Sequence, residues 1–497
     1  MISIAIAIVL VFSTAASMAA DDRPNVLFIM VDDLRTSLGC YGDRLAKSPN
    51  IDRFAQSARV FTRAYCHQSV CGPSRASILT GLLPDHTGVW HNRNRFRSTN
   101  PDLVTLPQLF KNNGYCTRGL GKIFSGDELE EDPESWTVPT VLKAQGWKNY
   151  TKKRSGEGKG PPFEFSDVPD NGYPDGKLAD LAIETLGELK RQSEPFFLAV
   201  GFFKPHLPFN APKKYWDLYD PSAFDLDVPR NRTRGAPQVA YPDHLELAGY
   251  QGIPPDERVT ADQARELRHA YYACVSYTDA QIGKLLDSLK PLGLEENTLI
   301  VLLGDHGYSL GEADHWCKDT NFELDTHVPL IIRAASMNLP GTATEALVEY
   351  VDIYPTLAEL AKLTPPTGLD GRSLLTILKD PSTQGHDLVL SQFSRPFKAG
   401  NPEIMGYSIR TQSQRYTRWI DWESKKTLHE ELYNYGLESN DRKTSSYEIE
   451  SENLVGHSAH AATHQQLSQQ MDGVIRDRLR PVTLEQTGKS TKRKNKR

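Results

Sequence analysis

Beyond its first twenty residues the sequence lacks any apolar run long enough to cross a bilayer, which excludes a polytopic membrane protein and a stable membrane partner. It also lacks positive charge in excess. The formal net charge is -6, and Lys and Arg stay dispersed until Lys489 to Arg497, so nothing supports nucleic acid as a partner. That basic stretch, taken as 486–497, reads as a solvated, disordered tail. Cysteine is sparse: the six residues at 40, 66, 71, 116, 274 and 317 show no CxxC and no zinc spacing. Disulfides are permitted by export but not assigned by sequence. Internal repeats are not evident.

What is present reads as globular. With 39% hydrophobic and 24% charged residues over 497, the chain suits one large α/β domain with a smaller partner. Ile2 to Phe12 is apolar and is followed by the small residues Ser13, Ala15, Ala16, Ser17, Ala19 and Ala20. This reads as a signal peptide over 1–20, with export to the periplasm or the extracellular space. A composition shift across Leu363 to Leu375 suggests a main domain over 21–375 and a smaller one over 376–485. Glu130 to Asn171 and Pro221 to Pro255 read as surface excursions.

Asn25 to Val31, Phe196 to Gly201, Thr298 to Leu303 and Val328 to Ile332 are short continuous apolar runs, the pattern of strands buried on both faces. Helix-like segments lie between them at Asp180 to Lys190, Asp262 to Ala273 and Asp279 to Leu289. This alternation predicts a large, mostly parallel α/β sheet with helices on both faces. Leu388 to Phe393, Tyr407 to Thr411 and Tyr416 to Ile420 predict a small antiparallel sheet, with a helix near Ala459 to Leu479. Ligands gather beyond the carboxyl ends of parallel strands. Three polar clusters sit at such ends: Asp32-Asp33, Lys204-Pro205-His206 and Gly304-Asp305-His306-Gly307.

Two consecutive Asp residues at a strand end require the chain to turn if both are to face inward. Together with Asp305 they offer three oxygen ligands, which suits calcium, whereas capping a helix or solvating a turn is the commoner use of Asp. The stretch Cys71-Gly72-Pro73-Ser74-Arg75 through Leu79-Thr80-Gly81 shifts that balance. It matches C-x-P-S-R-x-x-x-L-T-G, whose seven fixed positions arise by chance at roughly 10⁻⁸ to 10⁻⁹ per start site.

On this motif the chain resembles the sulfatase family, and within it the iduronate-2-sulfatases most closely. Further stretches carry the likeness: Leu38 to Asp43, Ser48 to Asp52, Gly121 to Phe124, Lys204 to Pro208, Gly304 to Gly307, Phe322 to Leu330 and Ile404 to Thr411. The resemblance implies an alkaline-phosphatase-like fold, a Cys71 oxidised to formylglycine by a maturation enzyme, and one calcium ion. The ion would be held by Asp32, Asp33, Asp305, His306 and the modified Cys71. The hydrated aldehyde would attack sulfur, with Arg75, Lys122 and Lys318 neutralising the sulfate and His206 protonating the leaving sugar oxygen. The substrate implied is a sulfated glycan such as an iduronate-2-sulfate unit. Esters of phosphorus are an alternative on the same fold, as is a catalytically silent glycan-binding relative.

Two positions depart from the family's pattern. Ser125 stands where a His usually follows the Gly-Lys motif, so Ser125 with a water, or another residue such as His67, would have to replace it. Glu403 lies where a cation would be expected to meet a sugar carboxylate, which predicts repulsion of a uronate. Asn149-Tyr150-Thr151 and Asn231-Arg232-Thr233 fit the glycosylation pattern.

Overall fold

The computed structural model describes residues 23–124, 131–141, 150–151, 159–224, 231–435 and 450–479. The expected signal peptide, the basic tail, Ser125 and Asn149 lie outside the described residues. β1 (Asn25–Val31) is apolar at every position after Asn25 and sits inside a sheet covered on both sides. Leu27, Ile29 and Val31 face one core, and Val26, Phe28 and Met30 face the other. Successive strand residues point to opposite faces, so a strand between two helical layers must be apolar throughout. Each fully buried aliphatic side chain contributes roughly 1.5–3 kcal/mol.

The sheet continues with β2 (Arg59–Tyr65), β3 (Cys116–Gly121), β4 (Phe196–Phe202), β5 (Thr298–Gly304), β6 (His327–Arg333), β7 (Ala343–Thr344) and β8 (Val348–Glu349). Its spatial order is β7-β2-β6-β5-β1-β4-β3, with β8 on the carboxyl end of β2. All pairings are parallel except those of β6, which is antiparallel to both β2 and β5. The Val328 to Ile332 run therefore forms its strand but in the reverse direction. A parallel neighbour needs a crossover back to the sheet's other end. Residues 305–326 instead stay at the carboxyl end and feed straight back.

α1 (Cys71–Thr80) packs on the second core, whereas α2 (Pro174–Leu189) and α3 (Ala261–Leu289) pack on the first. The two segments expected around Asp262 and Asp279 are one helix. Its polar middle hides the continuity, because each polar group there has a buried partner. Thr278 Oγ1 donates to Lys204 O at 3.0 Å, the Tyr277 hydroxyl donates to Asp170 O at 2.8 Å, and Ser276 pairs with the Tyr219 hydroxyl at 2.6 Å.

A separate antiparallel sheet runs in order through β9 (Val389–Arg395), β10 (Ile404–Arg410), β11 (Gln414–Asp421) and β12 (Thr427–Asn434). α4 (Ala461–Asp477) lays Leu467, Met471 and Val474 on Met405, Ile409 and Tyr416. β12 escaped the sequence reading because its first half is polar and exposed. All six cysteines are free. Among the described residues no helix is long and apolar enough to cross a membrane.

The two sheets are fastened through Glu349. Its carboxylate accepts the Leu390 amide at 2.7 Å and both Arg478 nitrogens at 2.7 and 3.1 Å. Burial alone would raise this carboxyl, but Arg478 and then His67 hold it down at about 2, against an ordinary 4.5. The folded value is depressed, so the stability it contributes is complete above about pH 4.5 and is lost as pH falls through about 2. That shift corresponds to about 3 kcal/mol. Arg478→Met is expected to destabilise the protein near neutral pH and to flatten its acid loss across this window. Denaturant titrations at stepped pH check it, and an unchanged acid slope would refute the fastening.

Candidate active site

Asp32 and Asp33 follow β1 directly. The Asp32 amide still donates to Phe202 O at 3.1 Å, extending the parallel ladder by one residue. The chain then turns, because Asp33 adopts a left-handed conformation with φ 59°. That conformation costs a non-glycine residue roughly 1–2 kcal/mol. Two contacts hold it: the Asp33 amide donates to Asp305 Oδ1 at 3.0 Å, and the Tyr271 hydroxyl donates to Asp33 O at 2.8 Å. Both carboxylates are consequently turned inward and buried.

α1 begins at Cys71 and ends at Gly81, whose left-handed φ of 68° closes it with an amide bond to Ser77 O. The last position of the sequence motif is thus a helix stop that glycine adopts without strain. Arg75 lies one turn beyond Cys71, on the same face. The Gly72 amide, unpaired within the helix, donates to Asn92 Oδ1 at 2.8 Å. A Cβ on Gly72 would come within 2.9 Å of the Asn92 Cα, so glycine is required by close approach.

Cys71 Sγ lies 3.3 Å from Asp32 Oδ1, 3.3 Å from Lys122 Nζ and 3.4 Å from His306 Nε2. Residues 39 to 235 positions apart therefore converge on one point. Lys122 Nζ donates to both Asp32 oxygens at 2.9 and 2.7 Å, and Lys318 Nζ to both Asp33 oxygens at 2.8 and 2.9 Å. Arg75 bridges Asp305 Oδ2 at 2.7 Å and Asp32 Oδ1 at 3.2 Å. His206 donates from Nδ1 to Leu207 O at 2.6 Å, which leaves Nε2 toward Glu246 at 3.4 Å and Asp33 at 3.9 Å.

Burial would raise Asp32, yet Lys122, with His206 and Arg75, holds its carboxyl well below the usual range. Asp33 goes the other way. Burial, reinforced by the charges of Asp32, Glu246 and Asp305, raises it well above that range despite Lys318. The pocket is thus short of positive charge. Burial and the neighbouring Asp32 also push the Cys71 thiol well up, the opposite of what a thiolate nucleophile needs. Burial lowers His306, keeping its ring neutral, and its Nδ1 donates to Gly307 O at 2.9 Å, so the Nε2 lone pair faces the carboxylates.

Donor atoms of Asp32, Asp33, Cys71 and His306 all lie within 4.8 Å of one another. Two carboxylates around a charge-deficient point fit a hard divalent cation such as calcium. Asp305 stands beside this set: its Oδ1 is 3.7 Å from His306 Nε2 and accepts the Asp33 and His306 amides, each at 3.0 Å. Of two further acid-histidine clusters among the described residues, Asp33–His206–Glu246 adjoins this centre, and Glu349–Asp352–His386 is the one held by Arg478.

The model of the family described as Sulfatase matches residues 24–363, more than half of the chain. The chain belongs to the sulfatase family. As a member it is a sulfuric ester hydrolase. A second model, described as the C-terminal part of N-sulphoglucosamine sulphohydrolase, matches residues 311–477. Iduronate 2-sulfatase of Homo sapiens is 35% identical over 477 residues, covering 82% of this chain and 87% of the relative. A phosphonate monoester hydrolase from Silicibacter pomeroyi superposes with a TM-score of 0.72 at 24% identity, covering 93% and 97% of the two chains. A protein solved in complex with its substrate D-glucosamine-2-N,6-O-disulfate superposes with a TM-score of 0.73 at 23% identity, covering 93% and 100%. At such identities the two structures show the fold alone.

All the residues that sequence reading assigned to this sulfatase's centre meet there, but three of its other expectations change. His67 does not stand in for the histidine missing at Ser125, since its Nδ1 donates to Leu390 O at 2.9 Å and its ring faces Glu349 and Arg478. Glu403 is exposed and paired with Lys398, so it is not the unaccompanied carboxylate from which repulsion was expected. The Pro221 to Pro255 excursion is only partly superficial, because Ala240, Tyr241, Leu247 and Tyr250 are buried and Glu246 reaches Lys318 at 3.1 Å. No local pattern marks Glu246, or Asn92 beneath Cys71.

Calcium at about 100 times its Kd is expected to stabilise the protein by about 2.7 kcal/mol. The rise in Tm is the measurement, and Asp33→Asn should abolish most of it. A wild-type Tm that ignores calcium would remove the ion from this site.

Proposed function

We propose that this sulfatase removes a sulfate ester from a glycan, with an iduronate-2-sulfate-like unit as the leading substrate, after Cys71 has been converted to formylglycine. The observation that carries this is the position of Cys71, at a helix start against Asp32, Lys122 and His306, in a pocket that suppresses its thiolate. A residue so placed is poorly suited to act as a thiol. The 35% identity to Iduronate 2-sulfatase of Homo sapiens across 82% of the chain supports the substrate class. Export through a leader over 1–20 belongs to the same reading, as does a maturation enzyme for Cys71.

Overall the reaction consumes water and releases sulfate and a sugar hydroxyl. Bound calcium, held by Asp32, Asp33, His306 and the flanking Asp305, would polarise the sulfate and lower the cost of negative charge. Formylglycine would supply the nucleophilic oxygen. Lys122, Lys318 and Arg75 are aimed at the same point and neutralise the sulfate oxygens as charge builds. With its Nδ1 hydrogen kept by Leu207 O, His206 would act as the imidazolium, its second proton on Nε2 beside Glu246 and passed to the departing sugar oxygen, since an alkoxide leaves poorly.

Mass spectrometry of the tryptic peptide spanning Cys71 is expected to show the aldehyde rather than the thiol. His206→Ala should lower kcat on sugar sulfates by roughly 10²–10⁴-fold and on aryl sulfates by much less. An unmodified thiol in active protein, or turnover of aryl phosphonates with none of aryl sulfates, would refute the proposal. Turnover of another sulfated sugar with 2-sulfated iduronate untouched would remove only the iduronate assignment.

A further inference from the structure

Three loops meet beside the Cys71 end of α1, each fastened close to the reaction centre. Loop 90–95 is held where Asn92 Oδ1 accepts the Gly72 amide at 2.8 Å. Loop 241–246 ends in Glu246, which reaches Lys318 at 3.1 Å and His206 at 3.4 Å. Loop 395–400 starts from Arg395, whose guanidinium donates to Asp319 O at 2.6 Å, next to Lys318.

The loops are joined by rings. His91 packs on Phe397 with centroids 4.4 Å apart, and His244 stands 6.1 Å from the same ring. His91 Nδ1 accepts the Arg93 amide at 3.1 Å, so the neutral ring carries its proton on Nε2 and is a donor there. Arg93 and His244 are exposed and close enough that, after burial, their charges lower His91. Asp243 is committed elsewhere, its two oxygens accepting the Phe397 amide at 3.1 and 2.9 Å. Among the described residues no carboxylate pairs with the Arg93 guanidinium. A lone surface arginine is ordinarily just solvated. Here three donors on two loops are grouped around one half-buried aromatic face.

We infer that Arg93, His91 and His244 form, around Phe397, a second anion subsite that takes the carboxylate or sulfate of the sugar adjoining the one desulfated. This rests on the glycan reading above. Glu246 walls the inner side, so an anion is repelled next to the reacting sulfate and welcomed one sugar further out.

The test compares kcat/KM of the full-length protein on three disaccharides that share the sulfated unit and carry a uronate, a sulfated or a neutral neighbour. A charged neighbour is expected to be favoured by about tenfold, mainly through KM. The preference should fall with added salt, disappear in the Arg93→Ala/His244→Ala variant and survive largely in Arg93→Lys. A response confined to one charged neighbour assigns the subsite to that anion. A charged-to-neutral ratio identical in wild type and double variant overturns the inference. Hydrolysis of none of the three, by protein whose Cys71 is in the aldehyde form, overturns the glycan reading and the subsite together.

Discussion

Asp32 and Asp33 are buried at the end of an apolar strand, and the cost of placing two carboxylates there organises the surrounding structure. An unpaired buried charge costs far more than a surface one. Lys122 answers Asp32, Lys318 answers Asp33, and Arg75 spans Asp32 and Asp305. The compensation is incomplete, which is why Asp33 stays raised while Asp32 is held down. Such an imbalance favours a bound cation. Burial and the same field suppress the thiolate of Cys71.

Sheet topology delivers these groups. β1, β3, β4 and β5 are parallel neighbours, so the segments that leave them at 32, 122, 203 and 305 open at one edge. The reversed β6 adds what parallel strands cannot. Residues 305–326 leave and re-enter the sheet at that same edge, so one excursion supplies both His306 and Lys318 to the centre. The antiparallel sheet serves the site as well. Arg395 at the end of β9 anchors the loop that carries Phe397, and Tyr407 of β10 donates its hydroxyl to Asp85 at 2.5 Å in the turn after α1.

Substrate selection divides along the same lines. The cations proposed to neutralise sulfate sit in α1 and beside strand ends, whereas the groups that would recognise the rest of a glycan lie on loops 90–95, 241–246 and 395–400. Loops can vary without disturbing the strands that hold the reactive centre. Glu246 belongs to both sets, since it steadies Lys318 and also presents negative charge beside His206.

Much of the centre was legible in the chain because its residues sit at boundaries that sequence marks clearly. Apolar runs end at Asp32 and at Asp305, and the motif from Cys71 to Gly81 spans one whole helix with its stop. In the sequence α3 shows as two segments and β12 does not show, because buried polar partners and an exposed strand face blur the periodicity that betrays an element. His67 seemed free to serve the centre, since nothing local shows which way a ring points.

The sequence by itself determined which groups gather at the centre and that strand ends would present them, because apolar runs and helix stops are local and leave local marks. Only the tertiary structure decided the direction of β6, the place of Glu246 and the meeting of His91, His244 and Phe397. Those depend on where the chain returns after long excursions, and that is set by packing between residues far apart in sequence.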